Sequence, residues 1–226
     1  MFIKNVNQEL LTDLRQQMQF KDLTDQQFRL LARDMTYHEA KRGQVLFDQG
    51  EPTNRLYLVI SGLLQLDELD LDGNEFFHFI GSKQLYPLSV IVGKESEFQA
   101  TGEALSDLEY ITVSLSLYQR FITQNDKMVK SVMTQLTDVM NEYKLNWCDS
   151  MTYGTSERIL RTLTNLSEQT GEFDADGNLR LPFRTSFIDL AKICGTTRET
   201  MSRTISDLVK EGVCVFDHKQ LTMIAE

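Results

Sequence analysis

Several features that mark enzymes, secreted proteins and membrane proteins are scarce or missing in this chain of 226 residues. It has three cysteines without any Cys-x-x-Cys pair and three isolated histidines, so neither a disulfide framework nor a Cys/His metal site is expected. No run of roughly 18 to 20 apolar residues is available to span a bilayer, and the first residues lack the apolar core of a secretion signal. Paired catalytic carboxylates, a nucleophile motif and a P-loop are also missing. We therefore expect a cytosolic protein that is not an enzyme and carries no cofactor.

The three cysteines are Cys148, Cys194 and Cys214, and each lies in an apolar stretch. Buried structural thiols are therefore the preferred interpretation. A redox role is the alternative that the sequence leaves open.

Positive charge is the other scarce quantity. The chain has 23 Lys and Arg against 33 Asp and Glu, a formal net charge of −10. A nucleic-acid-binding protein needs Lys and Arg to neutralise phosphates, so the total by itself does not favour DNA. From Arg180 to Lys210, however, there are six basic and three acidic residues, a local balance of +3. Any basic footprint is local, and the acidic remainder should weaken non-specific binding to DNA.

Two short helical patterns flank a Gly-Thr-Thr turn between Ser186 and Gly212. In the second pattern, Met201, Ile205 and Leu208 recur at helical spacing and form an apolar face, while Arg, Glu and Ser residues occupy the polar face. Such a helix packs one side on a small core and offers the other to base edges in a DNA major groove. The pattern therefore indicates a helix-turn-helix and a transcription regulator.

The rest of the chain divides into distinct parts. Residues 7–37 are predicted to be helical. From Tyr37 to Val113, short strands are separated by turns about every 8–12 residues, including a hairpin turn at Asp70–Asn74, which favours an antiparallel barrel or sandwich. From Thr152 onward, a helix, a strand, two helices and a β-hairpin describe a winged helix-turn-helix. The fold class is therefore α+β, with domains at residues 1–123, 124–150 and 151–226.

A long helix is predicted from Asn125 or Asp126 to about Cys148. Apolar side chains step along it by three and four residues, as in a heptad seam. The seam consists of Val129, Val132, Leu136, Val139 and Tyr143. A second apolar face, which would pack against the N-terminal part, carries Met133, Met140, Leu145 and Trp147. We expect the seam to join two copies of the chain; the alternative is a helix that packs its seam against its own domain.

Together these parts resemble the CRP/FNR family of bacterial transcription regulators over nearly the full length. The segment from Lys41 to Gly62 is similar to the family's cyclic-nucleotide-binding fold, and the string Gly195-x-Thr-Arg-Glu-Thr-x-Ser-Arg203 is the more specific match. The resemblance implies an antiparallel β-roll sensor, a long dimerisation helix and a DNA-binding winged helix, acting as a homodimer on an inverted repeat of double-stranded DNA. The turn at Glu172–Asn178 is similar to a loop with which family members contact RNA polymerase, although its composition also fits a simple solvated turn.

Three residues are assigned to phosphate contacts. Ser186 and Asp189 form a capping box, in which the hydroxyl satisfies free N–H groups at the helix start, and the family pattern adds a phosphate contact to Ser186. Thr197 caps the recognition helix, whose positive N-terminus favours a phosphate. Thr200 resembles a further phosphate-contacting position.

Base readout is assigned to Arg198, Glu199, Ser202 and Arg203. Glu199 can accept from cytosine N4, Arg203 can bond guanine O6 and N7, and an i,i+4 ion pair could also join the two. Ser202 resembles the FNR-like branch and Arg198 the CRP-like branch, which predicts a hybrid half-site with a TG step, such as TGTGA or TTGAT. The two half-sites of a dimer should have centres about 34 Å apart.

The sensor departs from the members of the family that bind cyclic AMP. Those members carry Gly-Glu and Arg-Ser pairs in a cassette, where this chain has Tyr86-Pro87 and Glu97-Phe98. A carboxylate at the place of the phosphate-binding arginine repels a phosphate, so cyclic AMP is not expected. The N-terminal Cys cluster of an FNR-type iron–sulfur sensor is also missing, since no cysteine precedes Cys148.

An effector pocket, if there is one, is assigned to the cassette. Its positions are Tyr86, Leu88, Ser89, Glu97 and Phe98. Two alternatives stay open: a packed core without a ligand, or a pocket for an unidentified small effector between the roll and the dimerisation helix. The Tyr-Pro-Leu-Ser string is similar to that of Gram-positive members tied to arginine-deiminase and fermentative metabolism.

The sequence thus predicts a homodimeric, sequence-specific transcription regulator. The alternative is a small-molecule sensor or protein-interaction module whose winged helix has no specific DNA target. The polar face of the recognition helix argues against that alternative.

Overall fold

The N-terminal part is a roll of two antiparallel sheets with helices on one side. The computed structural model describes residues 2–70, 72, 75–93 and 96–225. The strands of the roll are β1 (Phe2–Asn5), β2 (Thr36–Ala40), β3 (Val45–Phe47), β4 (Arg55–Ser61), β5 (Leu64–Leu69), β6 (Glu75–Ile80), β7 (Leu85–Tyr86), β8 (Thr101–Ala104) and β9 (Leu108–Ser114). The helices of this part are α1 (Gln8–Gln16), α2 (Asp25–Asp34), α3 (Ser89–Val92) and α4 (Leu115–Ile122).

One sheet of the roll has the order β1-β2-β9-β4-β7 and the other has the order β3-β8-β5-β6. In the second sheet, β5 and β6 pair from Leu64↔Ile80 to Leu69↔Glu75, as a hairpin requires. Most of the predicted turn at Asp70–Asn74 lies outside the described residues. The predicted helical stretch 7–37 ends earlier than expected, because β2 begins at Thr36 and pairs with both β1 and β9.

Helices α1, α2 and α4 cover the outer side of the first sheet. Thr24 begins α2 with a capping box, in which its hydroxyl accepts from the Gln27 N–H and the Thr24 N–H donates to Gln27 Oε1. The apolar faces of these helices join β4 and β9 in one core, whose fully buried members include Leu14, Leu31 and Ile111. The long helix that follows packs against the same core.

That long helix is α5 (Asp126–Thr152), which is followed by the C-terminal unit. The elements of this unit are α6 (Thr155–Thr170), β10 (Glu172–Phe173), β11 (Leu179–Arg180), α7 (Phe187–Ile193), α8 (Arg198–Lys210), β12 (Cys214–Asp217) and β13 (Gln220–Met223). The four strands form one antiparallel sheet in the order β10-β11-β13-β12. The predicted α+β class, with an antiparallel roll, a long helix and a winged helix-turn-helix, is confirmed. Among the described residues, no helix combines the length and the apolar character needed to cross a bilayer.

The C-terminal unit has its own apolar core. Ile159 and Leu163 of α6, Leu190 of α7 and Met201 of α8 are fully buried in it. Leu63 of the roll, only 1% exposed, belongs to the same cluster. The C-terminal unit is therefore docked on the β5–β6 side of the roll.

Candidate nucleic-acid interface

Helices α7 and α8 form the predicted helix-turn-helix, joined by a turn at 194–197. The turn depends on Gly195, which has a backbone φ of +58°. This left-handed conformation costs a residue with a side chain about 1–2 kcal/mol. The N–H of Gly195 donates to the Lys192 carbonyl and that of Thr196 to the Ala191 carbonyl, which closes the end of α7.

The first turns of both helices have the predicted caps. The Asp189 N–H donates to Ser186 Oγ at 3.3 Å, and the Ser186 N–H donates to Asp189 Oδ2 at 2.7 Å, so the capping box is confirmed. The Thr200 N–H donates to Thr197 Oγ1 at 3.2 Å, and the Thr197 hydroxyl donates to Thr200 Oγ1 at 3.0 Å. The cap at Thr197 is confirmed, and both threonine hydroxyls lie at the positive end of α8. Their contacts with phosphate stay predictions.

Helix α8 has one buried and one open face. Met201, Thr204, Ile205 and Leu208 are buried. The open face borders a shallow depression of about 490 Å³. The depression is lined by Arg198, Glu199, Ser202, Arg203, Ser206, Asp207 and Lys210. All four residues assigned to base readout are therefore together, as an unobstructed polar surface.

The sequence reasoning missed three members of this surface. Ser206 and Asp207 lie three or four residues beyond Ser202 or Arg203, and Lys210 lies three residues beyond Asp207, so helical spacing could have revealed all three. The ion pair of α8 among the described residues joins Lys210 to Asp207 at 2.9 Å. The ion pair that Glu199 and Arg203 could form is not among those of the described residues, and both side chains are exposed.

The wing formed by β12 and β13 turns beside the start of α7. His218 and Lys219 occupy its tip with backbone φ of +47° and +65°, a conformation that non-glycine residues rarely adopt. The Lys219 carbonyl accepts from the Thr185 N–H at 2.7 Å, which ties the wing to the residue before Ser186. The tip therefore adds two exposed basic side chains close to the start of α7. Sequence spacing alone does not predict this contact between the wing and α7.

The cassette of the roll is filled by aromatic rings. Phe47 stacks on Phe98 with ring centroids 4.0 Å apart, and Tyr86 stacks on Phe47 at 5.6 Å. Tyr57 and Tyr110 extend the cluster. A Cβ added to Gly102 would lie 2.3 Å from the Phe47 ring, so this ring is accommodated only because the facing residue is glycine. Phe47 was missed by sequence reasoning because it lies 39 positions before Tyr86.

The five residues assigned to an effector pocket have different surroundings. Tyr86 and Phe98 belong to the ring cluster, and Phe98 is only 4% exposed. Burial raises the pKa of the Tyr86 hydroxyl well above its usual value. Leu88 is half-buried, whereas Ser89 and Glu97 are exposed. This arrangement favours the packed core over the effector pocket.

The seam assigned to dimerisation requires a correction. Val132 is only 1% exposed in a single chain, where it belongs to the core of the roll, and Val129 and Leu136 pack against that core. Assigning Val132 to a two-chain interface is wrong, because its own domain already covers it. Val139 is half-buried, and Tyr143 is 48% exposed with its hydroxyl 3.2 Å from His78 Nδ1. The methionines expected to pack on the roll face solvent instead: Met133 is 61% exposed and Met140 is 71% exposed.

The cysteines also depart in part from expectation. Cys194 and Cys214 are buried, and burial raises the pKa of their thiols to about 12 and about 11, so both stay protonated and unreactive. Cys148 is exposed, so the prediction that it is buried is wrong. Within the described ranges, no group of three or more His, Cys, Asp or Glu residues is arranged to hold a metal ion.

Comparison with known proteins gives two family matches. A cyclic nucleotide-binding domain matches residues 37–125, and a Crp-like helix-turn-helix domain matches residues 157–224. The "Anaerobic regulatory protein" of Bacillus subtilis (strain 168) is 26% identical over 191 residues, which cover 84% of this chain and 80% of that protein. The "HTH-type transcriptional regulator ArcR" of Staphylococcus epidermidis (strain ATCC 35984) is 22% identical over 176 residues, 76% of this chain and 75% of that protein.

Solved structures show the same fold. The structure of FixK2 from Bradyrhizobium japonicum superposes with a TM-score of 0.71 at 18% identity, covering 84% of this chain and 93% of that one.

Proposed function

The chain belongs to the CRP/FNR family of DNA-binding transcription regulators, and we propose that it acts as a homodimer on an inverted-repeat DNA site. Family members regulate transcription and are not enzymes. The observation that supports the proposal is the open face of α8, on which Glu199, Ser202 and Arg203 lie side by side along a depression lined by residues of that helix.

The chemistry of that face fits a specific half-site. Arg203 presents a planar fork that can bond the O6 and N7 acceptors of guanine, and Glu199 can accept from the N4 donor of cytosine. Arg198 and Ser202 flank them on the same surface. Thr197, Thr200 and Ser186 supply hydroxyls at the two helix starts for phosphates on either side of the groove. The proposed half-site contains a TG step, as in TGTGA or TTGAT.

The dimer is proposed to form through a face of α5 that is rotated from the one first expected. Val129, Met133, Leu136, Met140 and Tyr143 also step by four and three residues, and every member has exposed or half-buried surface in the single chain. Two such faces packed together would bury the methionines that otherwise face water. A dimer would present two copies of α8, as two half-sites about 34 Å apart require.

Cyclic AMP is not proposed as the signal. The ring stack of Phe47 and Phe98 occupies the interior next to the cassette, and Glu97 lies exposed at the position of the family's phosphate-binding arginine.

Contact with RNA polymerase is proposed at the turn between β10 and β11. Asp174 closes this turn by accepting hydrogen bonds from the N–H groups of Asp176 and Asn178. Phe173 beside it is 76% exposed, and an exposed aromatic ring of this kind is typical of a protein contact. A cytoplasmic location and membership of the arginine-deiminase-related subgroup are part of the same proposal, and a mapped set of target genes tests the subgroup.

Replacing Arg203 with alanine tests the readout directly. Genome-wide mapping of DNA bound by the wild-type protein first supplies the operator. Arg203→Ala should then weaken operator binding by about 1–3 kcal/mol and relax preference at one base pair, because a bidentate contact with one base is lost. Arg29→Ala is the matched control, since it removes an exposed arginine from α2 of the sensor part. Equal operator affinity for Arg203→Ala and Arg29→Ala would refute the assignment.

A further inference from the structure

Within the part of the chain that the structure describes, one ion pair connects the sensor part to the helix-turn-helix. Arg42 lies in the turn between β2 and β3, and its Nη2 donates to both carboxylate oxygens of Asp189 in α7, at 2.7 and 2.8 Å. These residues are 147 positions apart in the sequence. The Arg42 side chain is 45% exposed, whereas that of Asp189 is 6% exposed. The acceptor is thus a nearly buried carboxylate at the first turn of the helix-turn-helix.

Asp189 has two tasks at once. It accepts from the N–H and the hydroxyl of Ser186, each at 2.7 Å, and so completes the cap of α7. Within the described residues, the cation that pairs with it is Arg42 of the other domain. Burial by itself raises the pKa of Asp189, but the hydrogen bonds from Ser186 and Arg42 outweigh burial and lower it. The capping carboxylate is therefore held charged partly by the sensor.

The turn that carries Arg42 is itself fixed. The Gly43 N–H donates to the Ala104 carbonyl at 2.8 Å, and the Arg42 N–H donates to Asp107 Oδ1 at 3.3 Å. Gly43 has a φ of +82°, which glycine adopts without strain. The turn leads directly into β3, which ends at Phe47 in the ring cluster. Arg42 is therefore anchored to the interior of the roll.

Other contacts join the same two parts of the chain without covering the reading face. Leu63 lies in the core of the C-terminal unit, and Lys192 Nζ of α7 lies 5.5 Å from the centre of the Phe77 ring in β6. Glu199 and Arg203 remain exposed in the same docked arrangement. Docking therefore holds α7 against the sensor while α8 stays open to DNA.

We propose that Arg42 is a positioning residue: through Asp189 it holds α7 on the sensor and thereby sets how α8 is presented to the operator. Without the guanidinium, the docked arrangement leaves a nearly buried carboxylate without its cation, a state that is costly. Movement of the C-terminal unit away from the sensor relieves this cost by hydrating Asp189. A loosened unit must then be ordered again on DNA, which weakens binding. This inference rests on the proposed reading of an operator by α8.

Arg42→Gln in the full-length protein tests the proposal. We expect an operator Kd about tenfold higher, within the range typical of coupling between sites. Hydrogen exchange should become faster in both α7 and β6, the elements on the two sides of the contact. Arg29→Gln removes the same charge from α2 and should change neither quantity. Asp189→Asn keeps an oxygen that accepts from Ser186 but removes the charge, so adding Arg42→Gln to Asp189→Asn should have no further effect on either quantity.

Several results would overturn the proposal. One is an Arg42→Gln effect that persists undiminished in the Asp189→Asn background. Another is a smaller slope of the logarithm of operator affinity against the logarithm of salt concentration, equivalent to the loss of about one phosphate contact, with unchanged hydrogen exchange. That result would make Arg42 a direct DNA contact. Tighter operator binding by Arg42→Gln would mean that the Arg42–Asp189 contact opposes DNA binding by the C-terminal unit instead of supporting it. If the wild-type protein binds no specific operator, the proposed function fails, and hydrogen exchange still decides whether Arg42 holds the two parts together.

Discussion

Two adjacent residues of α5, Val132 and Met133, should respond in opposite ways to the same substitution. Val132 is 1% exposed in the single chain and Met133 is 61% exposed. Val132→Ala removes two buried methyl groups from the core of the roll and should lower the free energy of unfolding by about 2 kcal/mol. Met133→Ala changes an exposed side chain, and its effect on the folded monomer should stay within about 0.5 kcal/mol.

On dimerisation, we expect the opposite order: Met133→Ala should have the larger effect and Val132→Ala the smaller. A fully buried Met side chain contributes about 1.5–3 kcal/mol. In a dimer with twofold symmetry each substitution is present twice, so Met133→Ala weakens the free energy of dimerisation by at most about 3–6 kcal/mol. This corresponds to an increase in the dimer Kd of about 100-fold to 10,000-fold. Met140→Ala should act in the same way, since Met140 is 71% exposed and lies one heptad further along the helix.

Sedimentation velocity over a range of protein concentrations measures the dimer Kd, and urea unfolding of a monomeric background measures the stability. Met133→Glu with Met140→Glu supplies that background and should bind the operator weakly, because a monomer contacts only one half-site. A dimer that survives Met133→Glu with Met140→Glu would refute the rotated seam. So would Val132→Ala if it dissociated the dimer without destabilising the monomer.

Two further predictions concern the sensor. Cyclic AMP should leave the thermal unfolding midpoint unchanged, since the Phe47–Phe98 stack fills the interior beside the cassette; a saturable rise in that midpoint would contradict the packed-core interpretation. The pKa of His38 is lowered by its burial and then by the charge of Arg55, so the folded chain takes up this proton at a lower pH than the unfolded chain, which does so near pH 6.5. Stability should therefore fall as the pH drops from 7.5 to 5.5, and His38→Gln should reduce this loss in urea unfolding. An identical pH dependence in His38→Gln would show that other groups cause it.

Local rules determined much of the DNA-binding surface from the sequence alone. The spacing of Met201, Ile205 and Leu208 fixes which side of α8 is buried, because a helix repeats every 3.6 residues. The caps at Ser186 and Thr197 follow from side chains three residues from their partners. The placement of Glu199 and Arg203 on one open face follows from the same periodicity. Each of these relations spans no more than about two helical turns.

Helix α5 shows where such rules stop. Two interleaved sets of apolar residues share Val129, Leu136 and Tyr143 and differ in Val132 and Val139 against Met133 and Met140. Both sets step by three and four residues, so periodicity alone does not show which of them forms the dimer seam. Only the position of the roll's core, which covers Val132 and leaves Met133 in solvent, decides which set can meet a second chain.

The contacts that link the parts of the protein were decided by tertiary structure in the same way. Phe47 reaches Phe98, and Arg42 reaches Asp189, across 51 and 147 positions. No local sequence pattern predicts which of these distant residues meet, because the contacts depend on how sheets and domains pack after their elements have formed. The sequence determined which surface of α8 can read DNA, through the short-range geometry of a helix. The docking of the C-terminal core on the roll decided how that surface is held.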